Sequence, residues 1–155
     1  MKEVYILAAQ RTAIGGFLGS LSNLSAPEFG AHAIKAAIAQ ANISPENINS
    51  VYFGNVLSAN IGQSPARQAA IYAGIPTTVD STTINKVCAS GLKAMVIAAQ
   101  QIQLGLEHIS LAGGMESMSN VPHYLQRRTN LKLGNETFVD GLLKDGLTDA
   151  YNGQH

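Results

Sequence analysis

The sequence predicts an α/β protein with parallel strand pairing. Two observations carry this. β-Prone runs alternate with helix-periodic segments as far as residue 112, the pattern of strand–helix–strand units. The first run, Val4-Tyr5-Ile6-Leu7-Ala8-Ala9, is apolar without alternation, as in a strand covered on both faces. With 155 residues the chain has the length of one domain. A chain of that size buries roughly two-thirds of its unfolded surface, enough for a core.

Each element follows in order. Val4 to Ala9 is the first predicted strand, and the Gly- and Ser-rich stretch Thr12 to Ser25 is a loop. Ser25-Ala26-Pro27-Glu28 is a capping box with proline in the first turn. The helix it opens carries Phe29, Ala33, Ile34, Ala37, Ile38 and Ala41 on one face. Asn42 to Glu46 ends it in a turn. Val51 to Leu57 is the second predicted strand. Ser64-Pro65 starts a second helix that Gly74 stops, and Ala66, Ala69, Ala70 and Ala73 give it a small-residue face for close packing. The β-prone run that begins at Ser81 and ends at Asn85 is the third strand. A helix from about Ser90 follows, with Leu92, Met95, Val96, Ala99 and Ile102 as its apolar stripe and Gly105 as its stop. Ile109 to Ala112 is the fourth strand, and Gly113 and Gly114 read as a turn at its end. After Ser119 the texture becomes polar, which places a boundary near 118: residues 1–118 form one domain and residues 119–155 begin another.

Composition excludes several function classes. Charged residues are 13% of the chain, against about 25% in ordinary globular proteins. Ten basic and ten acidic residues cancel, which argues against nucleic acid as a partner. Such a low-charge, Ala- and Gly-rich surface fits one covered by a partner or by further chain. A single cysteine rules out an internal disulfide and a cysteine-rich metal site, and fits a reducing compartment. The four histidines, His32, His108, His123 and His155, have no metal-ligand spacing. Val4 to Ala9 is too short for a secretory h-region, and no apolar run is long enough for a membrane span.

The single cysteine is the most telling residue. Cys88 lies in Asn85-Lys86-Val87-Cys88-Ala89-Ser90-Gly91-Leu92-Lys93-Ala94, between a β-prone run and a helical pattern. It is therefore expected on a strand-to-helix turn at or near a helix N-terminus. Free N–H groups and the positive end of the helix dipole favour a thiolate there, and the same N–H groups can hold an oxyanion. The alternative is a buried cysteine acting as a small hydrophobe.

The stretch Ile84 to Met95 resembles the acyl-enzyme signature of thiolases. So do the opening Val4 to Gly15, the block Gly62 to Ala70, the block Ala112 to Ser119 and the close Lys144 to His155, in the family's order and spacing. The match is strongest to the biosynthetic branch. The resemblance implies a layered fold, a mixed but largely parallel sheet with helices on both faces, of which this is the N-terminal half. It further implies a ping-pong Claisen condensation of two acetyl-CoA to acetoacetyl-CoA and coenzyme A, reversible by thiolysis, through an acetyl-Cys88 intermediate. Coenzyme A enters as a thioester substrate, with no covalently bound cofactor. A homo-oligomer, dimer or tetramer, a cytoplasmic location and no nucleic-acid or membrane partner are expected.

The family's histidine base, second cysteine and Asn-Glu-Ala-Phe segment have no counterpart in these residues. The resemblance therefore implies a partial chain that does not complete a turnover alone. By motif match Leu147 and His155 line the coenzyme, and residues beyond 118 begin a loop domain that covers it. Arg127 and Arg128 admit three readings: solvated charges, phosphate contacts, or contacts to another dimer. Met115, Met118 and Glu116 read as structural, the methionines filling gaps and the carboxylate satisfying polar neighbours. His108 and His123 carry no match. A degradative 3-ketoacyl-CoA thiolase and a non-catalytic coenzyme A-binding subunit remain as alternatives.

Overall fold

The computed structural model describes residues 2–125 and 133–155. Arg127, Arg128 and Lys132 lie outside the described residues. Helix α1 spans Ala26–Ala41, strand β1 Ser50–Gly54, helix α2 Pro65–Tyr72, strand β2 Asp80–Ile84, helix α3 Ser90–Gln103 and strand β3 Ser110–Gly114. The three strands are parallel in the order β2-β1-β3, with Ser50 level with Asp80 and Ser110, and Gly54 level with Ile84 and Gly114. This is the expected α/β alternation. Two short strands, β4 (His123–Tyr124) and β5 (Val139–Asp140), pair antiparallel, and a π-helical turn, Leu143–Leu147, follows them.

β1 is buried along its whole length because helices cover both of its faces. Val51 and Phe53 join the larger core, made with α1 and α2 around Ile34, Ile38, Ala66, Ala69 and Ala70. Tyr52 points the other way and packs on Ala94 and Ala98 of α3. Period-two alternation along one strand thus feeds two cores. The capping box forms: the backbone N–H and the hydroxyl of Ser25 both donate to Glu28 Oε2 at 2.7 Å. The all-alanine face of α2 is buried as expected, and Gly74 and Gly105 take left-handed φ of 88° and 77° at the two helix ends.

Five expectations are corrected. Val4 to Ala9 forms no ladder, and Ile6 is 75% exposed. The Ala9 N–H donates to Gln40 Oε1 and, just upstream, the Lys2 N–H donates to Gln103 O, so the segment runs along helix ends. An apolar run becomes a strand only when another strand accepts its hydrogen bonds. On α3 the buried residues are Ser90, Ala94 and Ala98, while Leu92 is 65% exposed and Met95 and Val96 are exposed too. The helix approaches the sheet through its small residues, because only they allow the close spacing. On α1 the buried stripe is centred on Gly30, Ala31, Ile34 and Ile38, with Phe29, Ala33, Ala37 and Ala41 half-buried. β1 stops at Gly54 rather than Leu57, and Gly113 and Gly114 belong to β3 rather than to a turn.

Candidate active site

The carboxyl ends of β1, β2 and β3 meet the start of α3 at a cleft of about 420 Å³. This is the edge of an open parallel sheet where ligands bind by geometry. Cys88 lines the cleft and is exposed, which excludes the buried-hydrophobe alternative. It stands two residues before the first residue of α3.

The turn that carries it is built by its neighbours. Val87 has φ of 50°, a left-handed conformation in which a β-branched residue is strained; the cost of holding such a residue is about 1–3 kcal/mol. Three side-chain bonds hold it. Asn85 Oδ1 accepts from the Val87 N–H at 3.0 Å, Ser90 Oγ accepts from the Lys86 N–H at 2.8 Å, and the same hydroxyl donates to Val87 O at 2.6 Å. Backbone bonds from Ala89 N–H to Lys86 O and from Ser90 N–H to Val87 O close the arc at 3.1 and 3.0 Å. Beneath it, a Cβ on Gly54 would stand 2.7 Å from Gly91 N and from Ser90 C, so only glycine lets β1 reach this close to α3.

Opposite Cys88 the cleft wall comes from two further elements. Glu116 follows β3 and clamps the loop after β1. Its Oε1 accepts from Asn55 Nδ2 at 2.7 Å and from the Leu57 N–H at 3.0 Å, and its Oε2 accepts from the Val56 N–H at 3.0 Å. Burial raises its pKa despite the two backbone donors, which act the other way. Its expected structural role, satisfying polar neighbours, is what this geometry performs. Met115 is buried in the core as expected, whereas Met118 is exposed and lines the cleft instead of filling a gap.

Leu147 closes the far side and also walls a neighbouring hollow of about 630 Å³ against the loop 10–17. Cys88 and Leu147, 59 positions apart, are thus brought to one cleft. Leu147 reaches it because the π-helical turn is held on both sides. Before it, Asp140 Oδ1 accepts from the Leu142 N–H at 2.8 Å; within it, the Tyr124 hydroxyl donates to Asp145 Oδ2 at 2.7 Å, and a Cβ added at Gly146 would lie 3.1 Å from Leu57 Cδ2. The bond to Asp145 pushes the Tyr124 phenol up to about 12. His155 is exposed and does not line the cleft; its Nδ1 lies 3.4 Å from both Thr148 Oγ1 and Leu147 O. His108 is exposed, and His123 sits 4.0 Å from Asp140 across the β4–β5 pair.

The family model for the thiolase N-terminal domain matches residues 4–155. The chain belongs to the thiolase family. The cytosolic acetyl-CoA acetyltransferase of Gibberella zeae is 57% identical over all of this chain and 39% of its own length. Acetyl-CoA acetyltransferase 2 of Arabidopsis thaliana is 58% identical over 97% of this chain and 38% of its own length. Among solved structures, the Acat5 thiolase of Ascaris suum in complex with coenzyme A superposes with a TM-score of 0.95 at 44% identity, covering 99% of this chain and 40% of that one. The chain therefore spans about 40% of the length of the relatives it matches. The fold is the thiolase fold that the sequence blocks implied, with helices on both faces of a three-stranded sheet that is wholly parallel rather than mixed.

Sequence reasoning missed the clamp around the turn. The sequence marks Ser90 only as a helix start and gives Asn85 no role, and it places Asn55 and Leu57 in a strand. Their signal is faint: an Asn two residues before a β-branched residue is an Asx-turn pattern, but it is common in loops.

Proposed function

We propose that this chain is the acyl-accepting part of an acetyl-CoA C-acetyltransferase, with Cys88 as nucleophile. The observation that carries this is an exposed thiol on a braced turn at the carboxyl edge of a parallel sheet, facing a cleft. The relatives named as acetyl-CoA acetyltransferases support the substrate, and so does the neighbour solved with coenzyme A. Cys88 Sγ bonds to the thioester carbonyl carbon of acetyl-CoA. The intermediate collapses, the carbon–sulfur bond to coenzyme A breaks, and coenzyme A leaves as the thiol carrying the proton Cys88 gave up. The Cys88 N–H, next to the start of α3, serves as an oxyanion donor. A second acetyl-CoA then gives up an α-proton, its carbanion bonds to the acetyl carbonyl carbon, the carbon–sulfur bond to Cys88 breaks, and the proton ends on the released Cys88 thiolate, giving acetoacetyl-CoA and the free thiol. Splitting the transfer into two steps is the reason to employ a cysteine.

Leu147 packs against the coenzyme, supported by its place on the cleft wall. His155, held beside the Leu147 carbonyl, flanks the same ligand. Residues 119–155 begin a loop domain that covers the coenzyme, a reading supported by the Tyr124–Asp145 bond beside Leu147. The enzyme works as a homo-oligomer, dimer or tetramer, in the cytoplasm. Among the described residues no helix is long and apolar enough to cross a membrane.

The test is thiolytic cleavage of acetoacetyl-CoA by the intact protein and by Cys88→Ala. Loss of turnover in the variant, with coenzyme A still bound, is the expected result. Equal activity in both would refute the assignment of Cys88.

A further inference from the structure

The geometry points to Ser90 as a positioning residue that holds Cys88 in its reactive place, with Asn85 as its weaker partner; the inference rests on Cys88 being the acyl-accepting nucleophile. The strained residue is Val87, next in chain to the thiol. A left-handed turn on a β-branched residue persists only where its surroundings over-determine it. Here two side chains add to the two backbone bonds that close the arc. Ser90 is 5% exposed, and its hydroxyl bridges the turn by accepting from the Lys86 N–H and donating to Val87 O. Asn85, exposed on the other side, accepts from the Val87 N–H.

Ser90 can bridge because it is itself immobile. It is the first residue of α3, seated on Gly54 so tightly that an added Cβ there would lie 2.8 Å from the Ser90 Cβ. The sheet thus fixes Ser90, Ser90 fixes the turn, and the turn fixes Cys88. Ser90 lines the cleft, but its hydroxyl is consumed by two backbone groups, its hydrogen going to Val87 O, so it acts on the turn and not as a proton carrier in the reaction. Without it, the Lys86 N–H and one lone pair of Val87 O lose their partner, and only Asn85 and the backbone bonds of the arc still oppose the departure of Val87 from the left-handed region. The next Cα, that of Cys88, moves with it. A displacement near 1 Å at a reacting atom lowers a rate about a hundredfold.

Rapid-quench acetylation by acetyl-CoA, followed by intact mass, tests this in the whole protein with Ser90→Ala and Asn85→Ala. For Ser90→Ala we expect the maximal acetylation rate to fall about thirtyfold or more, toward that limit. The acetyl-CoA concentration at half-maximal rate and the final occupancy of one acetyl per chain stay as in wild type. Asn85→Ala, on the exposed side of the turn, falls in the same direction by about three- to tenfold and keeps the test open if the buried variant misfolds. A loss confined to final occupancy, with an unchanged rate constant, would mean a merely structural residue and overturn the inference. So would unchanged rates in both variants. A wild-type protein that takes no acetyl overturns the nucleophile reading itself, and the inference with it.

Discussion

Replacing Gly54 by alanine tests whether β1 and α3 meet as closely as the structure has them. In open space the change is favourable: at a residue without positive φ, Gly→Ala stabilises by about 0.4–1 kcal/mol by restricting the unfolded chain. Here the new Cβ would lie 2.7 Å from Gly91 N and Ser90 C and 2.8 Å from Ser90 Cβ. Carbon contacts relax to about 3.5–4.0 Å, so the first turn of α3 retreats by about 1 Å. The obstructing atoms are mostly backbone, which no side-chain rotation relieves. Overpacking of this kind costs about 1–3 kcal/mol, leaving a net loss of about 1–2 kcal/mol against the entropic gain. For a chain of this size that is a fall in Tm of about 2–8 °C, readable by calorimetry on the intact protein. Gly16→Ala is the control, since a Cβ there meets nothing within 4 Å. A Gly54→Ala protein as stable as wild type, or more stable, would refute the close approach and the chain of support it gives the Cys88 turn.

Three further outcomes follow from the same geometry. Burial raises the Glu116 pKa above 4.5, so the folded state holds that proton more tightly than the unfolded chain; its contribution is full below the unfolded value and is lost as pH rises through the folded one. Glu116→Gln removes this slope from urea midpoints measured upward from pH 4.5, and it also leaves one N–H of the clamped loop facing an amide, a cost of about 1–3 kcal/mol. Tyr124→Phe frees Asp145 and loosens the turn bearing Leu147; steady-state kinetics then give a KM for the coenzyme A thioester raised about two- to tenfold with little change in kcat, and the tyrosine ionising at about 12 disappears from an ultraviolet pH titration. Leu147→Ala strips an apolar wall from the cleft and raises KM about tenfold, in line with the loss of about 1.5 kcal/mol of buried surface; unchanged KM would remove Leu147 from the ligand site.

Much of this architecture is legible in the sequence because local chemistry decides it. The Ser25–Glu28 box, the Ser64-Pro65 start, the glycine stops and the alanine face of α2 each act within a few residues, and each is found where expected. The apolar residues of Val4–Ala9 and of α3 are also legible as apolar, but periodicity cannot say what lies against them. Ala94 and Ala98 meet the sheet because they are small, and Leu92, Met95 and Val96 are left facing outward. The place of Cys88 just before α3 is readable from its strand–turn–helix setting, whereas Leu147 is singled out only by the family resemblance. The braces between them are not, since Glu116 reaches back 59 to 61 positions to Asn55, Val56 and Leu57 through contacts that only the folded chain creates.

Brief exposure of the intact protein to acetyl-CoA, followed by peptide mapping of the modified mass, tests the assignment of Cys88 most directly. If Cys88 is the acyl-carrying nucleophile, one acetyl group appears per chain, on the peptide containing Cys88, and it is discharged by added coenzyme A. An unmodified Cys88 peptide beside a protein that still turns over acetoacetyl-CoA would contradict it.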